Sequence, residues 1–295
     1  MKIAMISEHA SPLAVAGGVD AGGQNIYVAH VARQLARMGH CVDVFTRSEA
    51  ANAPEVVAVE PGVRVVHVPA GPACTLPKEA LLPYMGEFAA FLLRFCEAAR
   101  RGRDGCYEIL HANFFMSGLA AMVVRRALQV PMVTTFHALG RVRRLHQGDS
   151  DGFPDERFGI EEALVRNCER VIAECVQDRD DLVHLYDGDP ARIAIVPCGF
   201  DAAEFRPVDL VHARRCLGWD ADAFTVLQLG RLVPRKGIDN VIHAIGVLRE
   251  RHGREATLHV VGGSTEQPDE QATPEIARLR AVAREAGVED CVVFD

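Results

Sequence analysis

The chain of 295 residues is 49% hydrophobic and 24% charged, a composition that is typical of a soluble globular protein of about two domains. Its formal net charge of −8 argues against a broad nucleic-acid-binding surface, and no apolar run approaches the length of a membrane span. Nine cysteines without a C-x-x-C pair indicate free thiols, and the first apolar run is too short for a signal peptide, so we expect a cytoplasmic protein.

Strand-like and helix-like patterns alternate through the first part of the chain. The apolar runs predict strands over Lys2–Ser7, Cys41–Thr46, Arg64–Val68, Glu108–Ala112, Pro131–Phe136, Val171–Cys175 and Ile193–Val196. The helical periodicity predicts helices over Ile26–Met38, Glu79–Arg101, Ser117–Leu128, Glu156–Cys168 and Asp178–Tyr186. Such alternation is typical of an α/β fold with a mostly parallel sheet that is covered on both faces.

A boundary near Phe205-Arg206-Pro207 separates a first domain, residues 1–207, from a second, residues 208–295. The second domain repeats the alternation, with predicted helices over Leu210–Leu217, Ile238–Arg251 and Pro274–Ala286 and predicted strands over Phe224–Leu229, Thr257–Val261 and Cys291–Phe294. Three strands are fewer than a complete doubly wound domain needs. We therefore expect two facing Rossmann-like domains, of which the second is truncated.

A glycine-rich stretch, residues 17–25, lies between the first predicted strand and the first predicted helix. Backbone N–H groups at such a place face a ligand without hindrance, and the helix dipole favours a negative group, usually phosphate. Gln24 and Asn25 add neutral side-chain donors there. The spacing is not G-x-G-x-x-G, so the dinucleotide fingerprint is absent. A loop without a ligand is the alternative.

Three histidines, His9, His111 and His137, fall at or near predicted carboxyl ends of strands, where open parallel sheets bind their ligands. A core or capping role is the alternative for each lone histidine. His137 is the strongest candidate, because it directly follows a predicted strand and precedes Ala138-Leu139-Gly140, where the backbone can open into a cleft.

In the second domain, Arg231 lies at a strand end and Lys236 lies just before a helix. Arginine offers a bidentate fork to phosphate and lysine a point charge, beside a favourable helix dipole. Two such cations suit a diphosphate leaving group without a metal, although a pair of surface cations is the alternative. A second glycine turn with Gly263 follows the next strand and could approach the same ligand.

Taken together, these stretches resemble the retaining glycosyltransferases of family 4 with the GT-B fold, a group that includes sucrose-phosphate synthases and the inositol-phosphate glycosyltransferases of mycothiol synthesis. The resembling stretches are Asp20-Ala21-Gly22-Gly23-Gln24, Pro77-Lys78-Glu79, Thr135-Phe136-His137-Ala138-Leu139-Gly140-Arg141, Val196-Pro197-Cys198-Gly199-Phe200-Asp201 and Gly230-Arg231-Leu232-Val233-Pro234-Arg235-Lys236-Gly237. One such stretch is weak evidence, but their order and spacing together are specific.

The resemblance implies an enzyme that moves a sugar from a nucleotide-diphosphate sugar to a hydroxyl acceptor, a sugar phosphate or polyol phosphate, with retention and without a cofactor or metal. It implies that Arg231 and Lys236 hold the donor diphosphate and that Gly22 and Gly23 approach the donor phosphate. It places His137 beside the donor sugar, where its ring or backbone supports the transition state.

For the acceptor, the resemblance implies contacts from Gln24, Asn25, Lys78, Arg143 and Arg157, the last three to phosphate. The chain departs from the family at three places. Phe114 stands where relatives carry a tyrosine, Ala138 where they carry serine or threonine, and Cys198 where an asparagine is common. These departures put the acceptor in doubt more than the chemistry. The paired glutamates that grip the donor in this family would lie beyond Asp295, so we expect the 295-residue chain to be inactive by itself.

Other functions stay open at this point. A non-catalytic sensor of sugar phosphates or nucleotide-sugars, and a disaccharide phosphorylase, would use the same fold. The sequence argues against an oxidoreductase, which would need the dinucleotide fingerprint and an acid at the end of the second strand, where Thr46-Arg47 stands.

Overall fold

The computed structural model describes residues 1–14, 22–102, 105–263, 265 and 267–295, apart from the Arg235 side chain. The chain forms two compact units. The first consists of residues 1–14 and 23–199, and the second contains Gly22 and residues 200–295. The units divide between Gly199 and Phe200, a few residues before the boundary that the sequence suggests.

One sheet of eight strands lies in the described part of the first unit. The strands are β1 Lys2–Ile6, β2 Cys41–Arg47, β3 Val56–Glu60, β4 Val63–Val68, β5 Ile109–Asn113, β6 Met132–Thr135, β7 Arg170–Ala173 and β8 Ile193–Ile195. Their order in the sheet is β3-β4-β2-β1-β5-β6-β7-β8. Neighbours pair in parallel except β3 with β4, which are antiparallel.

Helices cover both faces of this sheet. They are α1 Gly23–Arg37, α2 Met85–Arg101, α3 Phe115–Leu128, α4 Gly140–Gln147, α5 Glu156–Asn167 and α6 Val176–Tyr186. In β1, Ala4 and Ile6 pack into the core formed with α2 and α3, whereas Ile3 and Met5 pack into the core formed with α1. This burial on both faces explains why β1 is apolar at every position after Lys2. Short 3-10 turns occupy Lys78–Ala80, Leu82–Tyr84, Gly148–Ser150 and Pro190–Arg192.

Three elements differ from the sequence prediction. The helix expected from Glu79 begins at Met85, after two 3-10 turns. Strand β3 was not predicted, because it is an antiparallel edge strand with Val56 and Val59 exposed, so its apolar pattern is weak. Helix α4 was not predicted either, because Gly140 is its one buried residue and no apolar stripe marks it.

The second unit is smaller in its described part. Its strands are β9 Thr225–Leu229, β10 Thr257–Val261 and β11 Val292–Phe294, parallel and in the order β11-β10-β9. Its helices are α7 Leu210–Leu217, α8 Ile238–His252 and α9 Glu275–Glu285, with 3-10 turns at Pro234–Lys236 and Glu289–Cys291. Residues of α8 and α9 pack with β10 into one core, including Ile242, Leu258 and Leu279. Leu227 and Leu229 of β9 are exposed.

In the described part of the chain, no helix combines the length and the apolar composition that crossing a membrane requires.

Candidate functional site

Four neighbouring strands of the first sheet, β1, β5, β6 and β7, end at the same edge because they run in parallel. Polar side chains lie at the end of each strand or directly after it. The residues are Glu8 and His9 after β1, Asn113 at the end of β5, His137 after β6 and Glu174 after β7. Ligands of open parallel sheets bind at this kind of edge, so these side chains form the core of a candidate site.

His137 is held from both ring nitrogens. Its Nε2 lies 3.0 Å from Asn113 Oδ1 and its Nδ1 lies 3.2 Å from Glu174 Oε1. The Asn113 amide is oriented by its nitrogen, which donates to the carbonyls of Ile6 and His111 at 3.3 and 3.4 Å. The bond from His137 is the main cause that lowers the pKa of the Glu174 carboxyl. Because both nitrogens are engaged, the ring is fixed in place.

The backbone of His137 is also unusual. Its φ of +59° lies in the left-handed region, which few non-glycine residues adopt. The ring of Tyr27 packs edge-on against the imidazole, with 4.7 Å between the ring centroids. The expectation that this residue supports the donor through its ring or its backbone stays a prediction.

His111 is a core residue of β5. It is buried, and its Nε2 lies 2.9 Å from Thr135 Oγ1. Burial lowers the pKa of the His111 ring to about 4, and the neighbouring His137 lowers it further. The ring is therefore neutral at neutral pH, and it contributes to packing beneath His137.

His9 forms a pair with a buried carboxylate. Its Nδ1 lies 2.7 Å from Glu8 Oε1, and Glu8 is fully buried. The hydroxyl of Ser117 donates to Glu8 Oε2, and the backbone N–H of Glu8 donates to the same hydroxyl oxygen at 3.1 Å. The His9 ring packs edge-on against Phe114, with 4.9 Å between the centroids.

Lys78 and Arg143, two of the predicted acceptor residues, lie at one carboxylate. Lys78 Nζ lies 3.2 Å and Arg143 Nη2 lies 3.7 Å from Glu79 Oε1. Arg143 also donates from Nε to Asp151 Oδ1 at 2.7 Å. Two segments that are distant in the sequence thus bring their cations together at an anion.

Arg157, the third predicted phosphate contact, is buried in the protein. It donates from Nε to Glu161 Oε1 at 2.7 Å and from Nη2 to the carbonyl of Ala138 at 2.5 Å. Three phenyl rings enclose the guanidinium, with Cζ at 5.0, 4.9 and 4.7 Å from the centroids of Phe114, Phe115 and Phe153. Its Nη1 is buried and has no hydrogen-bond partner among the described residues.

One of these rings also links Arg157 to a second cation of the group. Arg143 also lies over Phe153, with its Cζ 5.1 Å from the ring centroid. Burial raises the pKa of the Glu161 carboxyl, and the charge of Arg157 opposes that shift. The structure therefore brings Lys78, Arg143 and Arg157 into one region of the first unit, each beside a carboxylate.

Gln24 and Asn25 bind the loop that follows β1. Gln24 Nε2 donates to Ser7 Oγ at 3.4 Å and to the Asn113 carbonyl at 3.3 Å, and Asn25 Nδ2 donates to the Ser11 carbonyl at 2.9 Å. Gly23 is the first residue of α1, and a Cβ there would meet nothing within 4 Å. Residues 17–21 of the predicted glycine-rich stretch lie outside the described residues.

In the second unit, Arg231 lies close to Gly22. A Cβ at Gly22 would be 3.6 Å from Arg231 Cζ. Lys236 is exposed at the end of the 3-10 turn Pro234–Lys236, and Gly237, with a φ of +62°, leads from this turn into α8. Arg231 and Lys236 are thus carried by the connection between β9 and α8.

Gly263, the remaining predicted donor residue, follows β10 with a φ of +127°. Its neighbour Gly262 has a φ of +153°, and a Cβ there would lie 2.0 Å from the carbonyl oxygen of Gly230. The backbones at the ends of β9 and β10 therefore lie in close contact, and position 262 accommodates only a glycine.

Sequence reasoning gave no role to three residues of the first unit that hold the candidate groups: Glu174, Glu79 and Tyr27. Glu174 carried a usable signal, because it is an acid at the end of a predicted strand. Glu79 was part of a resembling stretch without a role of its own. Tyr27 gave no signal, because its contact with His137 depends on how α1 packs on the sheet.

The described residues contain no group of three or more histidine, cysteine, aspartate or glutamate side chains that could hold a metal ion.

Comparison with known proteins gives the family. The model of Glycosyltransferase Family 4 matches residues 21–204, and the model of Glycosyl transferases group 1 matches residues 212–294. The chain belongs to glycosyltransferase family 4. This confirms the resemblance on which the predicted site was based, and the two matches together extend over most of the chain.

Similar family 4 proteins include the D-inositol 3-phosphate glycosyltransferases of Actinosynnema mirum and Acidothermus cellulolyticus. They are 37% and 39% identical over 296 residues, which is 99% of this chain and 70% and 65% of those proteins. Sucrose-phosphate synthase from Thermosynechococcus elongatus is 29% identical, with a TM-score of 0.85, and the match covers all of this chain and 70% of that structure.

A more distant neighbour shows the fold. Anabaena HepE, solved in complex with UDP and glucose, has a TM-score of 0.65 at 19% identity, over 100% of this chain and 68% of that structure. The predicted α/β architecture and the GT-B family of this glycosyltransferase are therefore confirmed. Against the relatives above, the chain spans about two thirds of their length.

Proposed function

We propose that this family 4 glycosyltransferase transfers a sugar from a nucleotide-diphosphate sugar to a hydroxyl of a phosphorylated sugar or polyol, with retention of the anomeric configuration. The family and the D-inositol 3-phosphate glycosyltransferases among its relatives support glycosyl transfer as the reaction class. The sucrose-phosphate synthase neighbour supports a compact, hydroxyl-rich acceptor.

The observation that carries the acceptor proposal is the cation group of the first unit. Lys78, Arg143 and Arg157 come from three separate segments and lie around Glu79 and Phe153. A dianionic phosphate matches such a group, because arginine offers paired donors and lysine a point charge. The buried Arg157 Nη1, which lacks a partner among the described residues, is a donor that such a ligand would satisfy.

For the donor, we propose that Arg231, Lys236 and the backbone amides of Gly22, Gly23 and Gly263 hold the diphosphate. As the bond between the anomeric carbon and the phosphate oxygen breaks, negative charge develops on the leaving diphosphate. The two cations stabilise that charge. The acceptor oxygen bonds to the anomeric carbon on the face that the diphosphate leaves, and the acceptor proton passes to the leaving phosphate oxygen.

This scheme requires no cofactor and no metal, because the two cations supply the positive charge. We therefore expect turnover with a chelator to stay within about twofold of turnover without it. That change is much smaller than the loss caused by removing one charge-stabilising donor. Loss of turnover in chelator that magnesium or manganese restores would overturn this part of the proposal.

The experiment that tests the function is a screen of nucleotide-sugars for release of nucleoside diphosphate. Each donor is assayed without acceptor and with D-inositol 3-phosphate, fructose 6-phosphate or unphosphorylated myo-inositol. Because the chain spans about two thirds of its relatives, the assay includes the 295-residue chain and a form extended to their length, called here the extended form. We expect turnover in the extended form, and we propose that the 295-residue chain lacks it.

Two results support the proposal: release of nucleoside diphosphate that depends on a phosphorylated acceptor, and a product with the donor's anomeric configuration by NMR. Equal use of phosphorylated and unphosphorylated acceptors would contradict the acceptor class. No release of nucleoside diphosphate, with cleavage of a disaccharide by inorganic phosphate to a sugar phosphate and a free sugar, would instead indicate a phosphorylase. Binding of ligands without any turnover would indicate a sensor.

A further inference from the structure

Two exposed cysteines lie at the carboxyl ends of the neighbouring strands β7 and β8. Cys175 follows the end of β7, and Cys198 follows the end of β8. The strands are parallel with Ala173 opposite Ile195, and the N–H of Val196 donates to the Ala173 carbonyl at 2.9 Å. Continued in this register, the two segments place the Cα atoms of the cysteines about 6 Å apart. A disulfide spans such a distance.

Cys175 occupies the more reactive of the two places. It is the residue directly before α6, and its Sγ accepts the N–H of Asp178 at 3.4 Å. A helix N-terminus favours negative charge, and the thiolate is the form of cysteine that attacks another sulfur. The position of Cys175 therefore favours its reactive form.

The thiol of Cys198 has a carboxylate as its partner. Its Sγ donates to Glu174 Oε1 at 3.3 Å. Desolvation, followed by the neighbouring Glu174, Asp178 and Cys175, raises the pKa of this thiol to about 11. Cys198 therefore keeps its proton at neutral pH, and Glu174 is the group placed to accept that proton when the sulfur reacts.

The same carboxylate oxygen holds His137. Glu174 Oε1 lies 3.2 Å from His137 Nδ1, so the imidazole and the Cys198 thiol meet at one atom. The hydrogen bonds from His137 and, to a smaller extent, from Cys198 lower the pKa of the Glu174 carboxyl. The state of the thiol therefore bears directly on the group that fixes the histidine of the candidate site.

We propose that Cys175 and Cys198 form a redox modification site, at which a small disulfide oxidises the two thiols to an intramolecular disulfide. The oxidation removes the Cys198 hydrogen bond from Glu174 and so weakens the hold on His137. This inference goes beyond sugar transfer and does not depend on which substrates the protein uses. Because an asparagine is common at position 198 in the family, the site is a property of this chain rather than of the fold.

The chemistry consists of two successive thiol–disulfide exchanges. With oxidised glutathione, the Cys175 thiolate attacks one sulfur, forms a mixed disulfide and releases a first glutathione thiolate. Cys198 then passes its proton to Glu174 Oε1, and its sulfur attacks Cys175 Sγ and releases the second glutathione thiolate. Two electrons pass from the protein to glutathione, and the two released thiolates take up the two protons that the cysteines lose.

Serine variants separate this chemistry from the fold. Cys175→Ser keeps an acceptor for the N–H of Asp178 at the start of α6, where serine is a preferred residue. Cys198→Ser keeps a donor to Glu174. Cys216→Ser is the matched control, because Cys216 is another exposed thiol, in α7. We expect the wild type and the three variants to unfold thermally within a few degrees of one another.

The test is incubation of the 295-residue chain with oxidised glutathione, followed by an acid quench, digestion without reductant and mass spectrometry of the peptides. In the wild type and in Cys216→Ser, we expect a peptide pair joined through Cys175 and Cys198. In Cys198→Ser the reaction stops at the mixed disulfide, so about tenfold more glutathione should stay on Cys175 than in the wild type. In Cys175→Ser, the remaining Cys198 should take up about tenfold less glutathione than that.

Two results would overturn the modification site. One is the absence of the joined peptide pair when other exposed cysteines have taken up glutathione. The other is a main product in which Cys175 or Cys198 is joined to a different cysteine. Equal uptake of glutathione by the two thiols in the single variants would contradict the order of the two exchanges.

The effect on His137 is measured by NMR of protein with 15N-labelled histidine, with His137 assigned from its loss in His137→Gln. We expect oxidation to shift the ring nitrogen signals of His137 in the wild type, and dithiothreitol to reverse the shift. The same treatment should leave these signals unchanged in Cys198→Ser. A disulfide that forms without moving the His137 signals would overturn the link through Glu174.

Discussion

At the scale of single residues, His111 makes the stability of the protein depend on pH. Burial lowers the pKa of its ring to about 4 from an ordinary 6.5. The unfolded chain takes up a proton near the higher value, so this contribution to stability is present above it and is lost as pH falls toward the lower one. The difference corresponds to at most about 3 kcal/mol.

His111→Gln keeps an amide group near the position of Nε2, which contacts Thr135, and removes the titration. We therefore expect the variant to lose less unfolding free energy than the wild type between about pH 7 and about pH 4.5. Urea unfolding at both values measures this. An identical loss in the two proteins would show that the ring is not what senses the pH.

The cation group makes a second prediction at this scale. Lys78→Ala removes one charge from the pair that meets at Glu79. We expect acceptor KM for a phosphorylated sugar or polyol to rise by a factor equivalent to about 1–3 kcal/mol, with little change for an unphosphorylated one. The control is Arg101→Ala, an exposed cation of α2 paired with Glu97. An unchanged acceptor KM in Lys78→Ala would contradict the phosphate site.

The sequence predicted which residues belong to the candidate site where a motif marks them, but it did not predict the contacts that depend on packing. Lys78, Arg143 and Arg157 were named as a group, and the structure brings them together. The enclosure of Arg157 by phenyl rings was not predicted, because Phe114 and Phe153 meet only after α3 and α5 fold onto the sheet. Their roles toward a ligand stay predictions.

At the scale of elements, the close approach of β9 and β10 requires Gly262. A Cβ there would lie 2.0 Å from the Gly230 carbonyl oxygen, and its φ of +153° is unfavourable for other residues. Gly262→Ala should destabilise the second unit by about 2–4 kcal/mol, through the clash and the backbone strain. It should also displace the loop that carries Gly263.

Gly253→Asn is a matched control for this change. Gly253 has a φ of +57°, at the end of α8, and a Cβ there would meet nothing within 4 Å. Asparagine tolerates this conformation, so the cost should be a few tenths of a kcal/mol. Denaturant unfolding compares the two variants. Equal stabilities would mean that the strand ends can move apart.

Helices and strands were predictable from the sequence where their buried faces produce a periodic or continuous apolar pattern. Strand β1 and helix α8 have continuous or periodic apolar patterns, and both were found. Helix α4 is different, because its side chains are mostly polar and it carries Arg141 and Arg143 between β6 and α5. Nothing local marks such a helix, so tertiary contacts decide its existence.

At the scale of the whole molecule, the two units carry different parts of the proposed reaction. The first unit holds the predicted acceptor residues and His137, and the second holds Arg231, Lys236 and Gly263. Each unit has its own core, so a substitution in one should leave the fold of the other unchanged. Variants of the second unit therefore test donor chemistry separately from acceptor binding.

Lys236 gives the sharpest test of the donor site. It is exposed at the 3-10 turn before α8, so its substitution should have little effect on stability. In the extended form, Lys236→Ala should cost about 2–4 kcal/mol of transition-state stabilisation, as the loss of one charge-stabilising donor does. The loss should appear mainly in kcat, because the charge develops as the glycosidic bond breaks.

Arg231→Ala should behave in the same way, and Lys236→Arg should retain part of the activity because it keeps the charge. The control is Arg284→Ala, an exposed cation of α9 paired with Glu289. Steady-state kinetics with a saturating acceptor and thermal unfolding are measured for each variant. Near-normal kcat in Lys236→Ala, with the control unchanged, would remove this lysine from the donor site and leave the charge of the leaving diphosphate to other groups.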